Sequence, residues 1–214
     1  MKPLPLAALA LVAAPHFALA DAYIAPSLTL ARTAHFFGGY NHEGNFSNKD
    51  TTYGAVTGLT VAVGWRDART HAGRAVTPEL DLSWSRTDTA SDSAPGLSYT
   101  STIKTLRLGA TFWTPLAQDG GWRTEAGIGA GMLYRDTATT DAAVSGEGSD
   151  LVPFGKVGLR CLRELKQGTL SVAVNYVLSG RTSIDLHPIT GGNAGNFTYS
   201  SAGLEVEIGY QIPF

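Results

Sequence analysis

This chain has almost nothing to cross-link and, beyond its first twenty residues, nothing long and apolar enough to cross a membrane as a helix. Cys161 is its single cysteine, so no intramolecular disulfide forms. The apolar run Leu4 to Ala14 falls short of the roughly 20 residues a membrane helix needs, and no later segment reaches that length without charges. Charge of one sign is also lacking: 16 Lys and Arg stand against 18 Asp and Glu, a net charge of −2. That balance excludes the basic stripe a nucleic-acid partner requires. Metal-ligand spacing is missing too. His35, His42 and His71 have no histidine or cysteine partner nearby in the chain. The acid-rich stretches around Asp88, Asp92, Asp136, Asp141, Glu147 and Asp150 never form the Asp-x-Asp-x-Asp-Gly pattern of a calcium loop. No metal and no cofactor is implied.

What is present begins with a leader. Lys2, the apolar run, Pro15 and the small-x-small triplet Ala18-Leu19-Ala20 make residues 1–20 a secretory signal peptide. The mature chain, 21–214, is then expected to start at Asp21 and to carry 15 basic against 18 acidic residues once Lys2 is gone.

The other end carries the strongest pattern. Leu204, Val206, Ile208, Tyr210, Ile212 and Phe214 alternate with Glu205, Glu207, Gly209, Gln211 and Pro213. Successive side chains of a strand point to opposite faces, so one face is wholly apolar and the other polar. In an exported chain this is the pattern of a membrane-spanning barrel strand, apolar toward lipid and polar toward the lumen.

Eight such segments can be read: Tyr23 to Phe37, Tyr53 to Arg66, Ala75 to Arg86, Tyr99 to Trp113, Trp122 to Arg135, Leu151 to Leu162, Thr169 to Ser179 and Ser200 to Phe214. Each covers the 9–11 residues, approximately, that a tilted membrane strand needs. Their connections alternate between short and long. The short ones are Asp67 to Arg74, Thr114 to Gly121 and Arg163 to Gly168. The long ones, expected as loops, are Gly38 to Thr52, Thr87 to Ser98, Asp136 to Asp150 and Gly180 to Tyr199. Short periplasmic turns and long outer connections are what outer-membrane barrels show. Overall hydropathy averages to zero, as it does when lipid-facing and lumen-facing rows alternate. The expectation is an all-β, eight-stranded antiparallel up-and-down transmembrane barrel in the outer membrane of a Gram-negative bacterium.

The polar rows hold charge that lipid would not tolerate. Glu79, Asp81, Glu125, Glu205 and Glu207 face inward with Arg66, Arg107, Arg123, Lys156 and Arg160. Isolated buried charges cost several kcal/mol each, so five acids against five bases imply a paired, filled interior. Arg107 is expected to sit between the strand of Glu79 and Asp81 and that of Glu125. An eight-stranded barrel is just wide enough for side chains to fill it.

The chain resembles the small eight-stranded outer-membrane barrels of the OmpA transmembrane domain, OmpX and opacity type. The likeness rests on Pro78-Glu79-Leu80-Asp81-Leu82-Ser83-Trp84, on Glu125-Ala126-Gly127-Ile128-Gly129-Ala130-Gly131, and on the closing Gly209-Tyr210-Gln211-Ile212-Pro213-Phe214. The resemblance implies that the terminal aromatic strand, with Tyr210, Ile212 and Phe214, is read by the barrel-assembly machinery. Pro213 departs from that group, at the cost of one ladder donor.

The expected role is non-enzymatic, in envelope structure, adhesion or interaction. Outer-membrane lipid and lipopolysaccharide surround the barrel, and its loops meet a host or extracellular ligand. By aromatic content Tyr40, Phe46, Phe197 and Tyr199 are the binding candidates. A narrow ion-conducting channel and an outer-leaflet lipid A hydrolase are the alternatives. For the hydrolase the only candidate set is Ser183, Asp185 and His187. Strand neighbours two apart lie about 6.5–7 Å apart, too far for a working relay. The His-x-Ser motif of the deacylases does not occur. No catalytic residue is expected.

Overall fold

The structure, a computed structural model, describes residues 21–42, 45–53, 56–66, 68–69, 75–94, 97–140, 144–189 and 195–214. For 30–42, 45–53, 56, 69, 89–94, 97–99 and 144 it describes the backbone alone. The leader 1–20 and His71 lie outside the described residues. So do the side chains of His35 and His42.

Alternating residues give strands throughout: β1 (Asp21–His42), β2 (Asn45–Tyr53), β3 (Val56–Arg66), β4 (Ala68–Arg69), β5 (Ala75–Ala94), β6 (Leu97–Asp119), β7 (Trp122–Thr140), β8 (Val144–Leu165), β9 (Gly168–Ser179), β10 (Thr182–Pro188) and β11 (Gly195–Pro213). Eight of them, β1, β3, β5, β6, β7, β8, β9 and β11, pair antiparallel in a ring that closes where β11 meets β1. Closure satisfies the edges of these eight strands where they form the ring, the condition for crossing a bilayer without helices. Turns at one end are tight. Gly120 and Gly121, with φ of 53° and 79°, make the two-residue turn from β6 into β7, a geometry that needs left-handed backbone at both positions.

The two faces separate as the alternation requires. Leu80 is 44 % exposed and its neighbour Asp81 only 4 %. Leu59 and Val61 on β3, Leu106, Leu108 and Phe112 on β6, Ile128 and Met132 on β7, Val157 and Leu159 on β8, Val172 and Val174 on β9, and Leu204 and Ile208 on β11 are likewise exposed outward. An apolar belt around a whole ring is unsustainable in water; it is the face a barrel turns to lipid. Trp84, Leu106, Tyr134 and Leu151 form one cross-strand row at its upper edge.

The long connections differ from the sequence expectation. They are paired strand, not loop. β5 and β6 stay in register from Thr77↔Trp113 to Asp92↔Ser98, and β7 and β8 from Trp122↔Arg163 to Thr140↔Ser145. β6 has 23 residues, about 75 Å of chain, where a belt of about 25 Å needs less than half of that even when crossed at a tilt. Outside lipid no apolar alternation is required, so the periodicity fades while Thr- and Ser-rich ribbons keep pairing. Among the described residues, β2 pairs with β1 alone, the β3–β5 ladder stops at Thr57↔Arg86, and β10 meets β8 only at His187↔Ser145 and Pro188↔Val144. Beyond the belt the walls are two four-stranded ribbons, β5–β6–β7–β8 and β10–β11–β1–β2, which among the described residues stay joined where β10 meets β8.

Candidate functional site

The chemistry of this chain is concentrated inside the ring, in three tiers. Nearest the short turns, Glu79 on β5 is held by three donors. Tyr23 donates its hydroxyl to Oε1, the Trp113 indole donates to Oε2 at 2.5 Å, and Arg160 donates to Oε1 at 2.6 Å. Arg160 also donates to Glu125 Oε2 at 2.5 Å, and Arg123 reaches Glu125 Oε1 at 2.7 Å. Glu125 and Arg160 are cross-strand partners on β7 and β8, whereas Glu79 comes to Arg160 across the lumen from β5. The Arg160 guanidinium lies 4.3 Å from the centre of the Trp113 ring, a cation–π contact. At the rim Arg66 donates to Gln211 at 2.7 Å and Thr169 at 3.0 Å, and lies over Tyr23. These partners are neutral; the sequence reading placed Arg66 among the ion pairs.

Arg107 makes the middle tier. Its partners are Glu205, both oxygens at 2.9 Å, and Glu207 at 3.7 Å. This corrects the expectation that Arg107 serves the acids of β5 and β7. The register sets Arg107 opposite Ser83 and Leu133, which are not acidic. β11 lies four strands away in either direction around the ring, so the pair spans the lumen on a diameter. Lys156 approaches Asp81 at 3.4 Å, and Thr111 donates to the same oxygen at 3.3 Å.

The upper tier was missed from sequence. Arg135 is 2 % exposed and donates to the Ser179 and Ser201 hydroxyls, to Thr182 at 3.2 Å and to the Gly180 carbonyl at 3.4 Å. It lies 5.2 Å over the Tyr199 ring, whose hydroxyl bonds Thr137 at 2.5 Å. Its parity on β7 matched that of Glu125 and was the available signal.

Tyr199 itself corrects a second expectation. It is fully buried, stacked on half-buried Phe197 and packed beside Ile103. A strand continuing where a loop was expected turns Tyr199 inward, away from any partner at the surface. The side chains of Tyr40 and Phe46 lie outside the described residues. Ile212 and Phe214 are exposed on the outward row and Tyr210 is half-buried there; the Phe214 amide donates to Ala22 at 3.1 Å.

Ser183, Asp185 and His187 occupy successive outward positions of β10. The Ser183 hydroxyl shares a 2.8 Å bond with Thr198, so it is not seated on the imidazole. Among the described residues no group of three or more His, Cys, Asp or Glu is arranged to hold a metal.

Replacing Tyr23 with Phe leaves one Glu79 oxygen short of a donor in a buried site. Loss of about 1–3 kcal/mol in a urea unfolding titration in lipid vesicles is the expected result; an unchanged midpoint would show that the hydroxyl contributes nothing.

Comparison with family models and with curated proteins gives no match. Solved structures do match. Outer membrane protein OprG from Pseudomonas aeruginosa is 13 % identical over 91 % of this chain and 96 % of its own, with a TM-score of 0.58. A major outer membrane protein from Thermus thermophilus is 12 % identical over 89 % of this chain and 99 % of its own, with a TM-score of 0.54. Identity this low speaks for the fold: the chain has the fold of outer-membrane β-barrels, with a belt that makes a bilayer its solvent.

Proposed function

We propose that this protein is a non-enzymatic component of a Gram-negative outer membrane whose role is contact at the cell surface. One observation carries the reading. The interior is filled by buried ion pairs, while the walls continue as paired strands well past the belt. Material invested beyond the membrane, around a filled lumen, favours presentation over transport. Outer-membrane lipid and lipopolysaccharide are the belt's partners, and an extracellular ligand is the partner of the protruding sheets.

The orientation is testable through single cysteines in a Cys161→Ser background. Ser183→Cys, on the long-hairpin side, should react with a membrane-impermeant maleimide on intact cells, and Gln167→Cys, in a short turn, should not. Labelling at Gln167→Cys alone would invert the reading. Labelling at both would remove the chain from the membrane.

A narrow ion channel is the competing function, favoured by the charges that line the lumen. It requires the Arg107–Glu205 diameter to open. Planar-bilayer recordings of the purified barrel should therefore show no discrete conductance; steady unitary currents would favour the channel.

Tyr210, Ile212 and Phe214 serve as the assembly signal in this proposal. A Phe214→Ser variant is expected to accumulate less folded barrel in cells yet refold normally into detergent. Equal loss in both settings would make Phe214 a stability residue.

A further inference from the structure

The outer wall of the long-hairpin sheet carries a concavity of about 520 Å³ whose lining includes Thr102, Ala138, Glu147 and His187. Strand register gives it its shape. One row runs Asp88, Thr102, Ala138, Glu147 across β5, β6, β7 and β8. The next row, farther from the belt, runs Thr100, Thr140, Ser145, His187 across β6, β7, β8 and β10. Strand spacing puts neighbours in a row about 4.8 Å apart, and the rows are about 6.5–7 Å apart. Ala138 has the shortest side chain of its row, so a hollow opens between Thr102 on one side and Glu147 on the other.

Charge at the hollow is unbalanced. Asp88 is matched by Arg86 at 3.1 Å, and Asp136 by Lys104 at 3.6 Å. Among the described residues Glu147 has no ion-pair partner, and neither has Asp185. The two stand close together. Gly146 and Gly148, on either side of Glu147, come against Leu186 and Ile184, on either side of Asp185. Arg181 is four residues back from Asp185, about 13 Å along the strand. Like charges facing each other across neighbouring strands repel, and a cation between them removes the repulsion. Glu147, Asp185 and His187 are not arranged to hold a metal ion.

The uncharged lining leans toward acceptors as well. Thr102 gives its proton to Asp88 at 2.7 Å, so only its lone pairs are left to offer. A carboxylate accepts and does not donate, and a neutral imidazole keeps one acceptor nitrogen. The counterpart of such a lining is a primary ammonium, with one positive charge, three N–H donors and no acceptor. A neutral sugar would leave both carboxylates uncompensated, and an anion would add to their repulsion. A quaternary ammonium is suited to an aromatic cage, and no aromatic ring lines the concavity.

We infer that this groove binds a primary alkylammonium group, carried by a free polyamine or by a lysine of an extracellular protein, with Glu147 as its counter-charge and Thr102 as an acceptor. The inference deepens the surface-contact reading and rests on it, because the long hairpins must stand outside the cell for such a ligand to arrive. The test is calorimetric titration of the folded barrel in a non-ionic detergent. Three probes are compared: pentane-1,5-diamine, a short peptide with blocked termini and one lysine, and the same peptide with that lysine trimethylated. The diamine and the lysine peptide should bind. The trimethylated peptide keeps the charge but has no N–H at the ammonium, and should bind at least about tenfold more weakly. Glu147→Gln should weaken binding of both amines about tenfold, and Thr102→Val about threefold, the scales of a charge-assisted and of an ordinary hydrogen bond. Ser183→Ala, on the same face of β10 but outside the groove, should bind as wild type does.

Tighter binding of the peptide would assign the ammonium to a partner protein, and tighter binding of the diamine to a free polyamine; both uphold the inference. Absent binding of either amine, or affinities unmoved by the groove variants, would overturn it. Equal binding of the trimethylated peptide would also overturn it, by reducing the contact to unspecific attraction of charge. All three results would leave the surface-contact role standing. Failure of the underlying orientation would show separately, in the maleimide labelling at Ser183→Cys and Gln167→Cys.

Discussion

An Arg160→Met variant should lose about 3–5 kcal/mol of folding free energy in urea titrations into lipid vesicles, the cost of leaving a buried charge without its partner. Arg160 is 4 % exposed and is the only cation within ion-pair distance of Glu79 among the described residues; it also shares Glu125 with Arg123. Removing it leaves Glu79 without a cation, held only by the neutral Tyr23 and Trp113 donors, and weakens the hold on Glu125. The loss should not scale with the side-chain volume removed, because methionine is close in size. A companion variant, Arg160→Met with Glu79→Gln, should recover most of the stability, since the carboxylate that lost its cation is then neutral and Glu125 keeps Arg123. A single variant as stable as wild type would show that the lower tier is solvated and contributes little.

Gly131→Val should leave no folded barrel. A Cβ at this position would sit 2.2 Å from the Leu108 carbonyl oxygen, 2.7 Å from the Gly109 Cα and 2.7 Å from the Phe154 ring. Two of those three are backbone and cannot move aside without breaking the β6–β7 ladder at Gly109↔Gly131. Gly109 meets the same ring, since its Cβ would lie 2.6 Å from Phe154. The two cross-strand glycines are the floor on which Phe154 lies, and the Arg107 guanidinium stands over the same ring at 5.3 Å. Ordinary overpacking costs about 1–3 kcal/mol; a collision with backbone on one side and a buried ring on the other exceeds what the core can absorb. On a gel, the unboiled sample should migrate as the boiled one does. A heat-modifiable band of normal intensity would show that the wall yields more than this geometry allows.

The same close approach recurs where Trp113 covers Gly127 and Tyr23 covers Gly64. Glycines inside the alternating segments signalled tight packing from the sequence, but not which ring each would receive. Periodicity is a one-dimensional property: it states that a residue points inward without stating what it meets there.

Arg107 and Arg160 show how that limit operates. Both are inward by parity alone, because lipid accepts only the apolar row. Their partners follow from ring closure, which sets β6 against β11 on a diameter and brings Glu79 of β5 to β8. Sequence neighbours suggested adjacent-strand pairing, and for Arg107 the lumen chose the opposite wall. Tyr199 marks a different limit. Its segment looked like loop because polar residues dominate it, yet hairpin pairing outside lipid needs no apolar alternation, so strand and loop look alike there.

The sequence by itself determined the alternation, the number of membrane-crossing segments and which side chains face lipid, because a bilayer imposes a strict two-residue period on any strand that crosses it. Only the tertiary structure decided which charges pair across the lumen, how far the walls run beyond the belt, and where four strands bring a row of hydroxyls together, because register and ring closure join residues that the chain order keeps far apart.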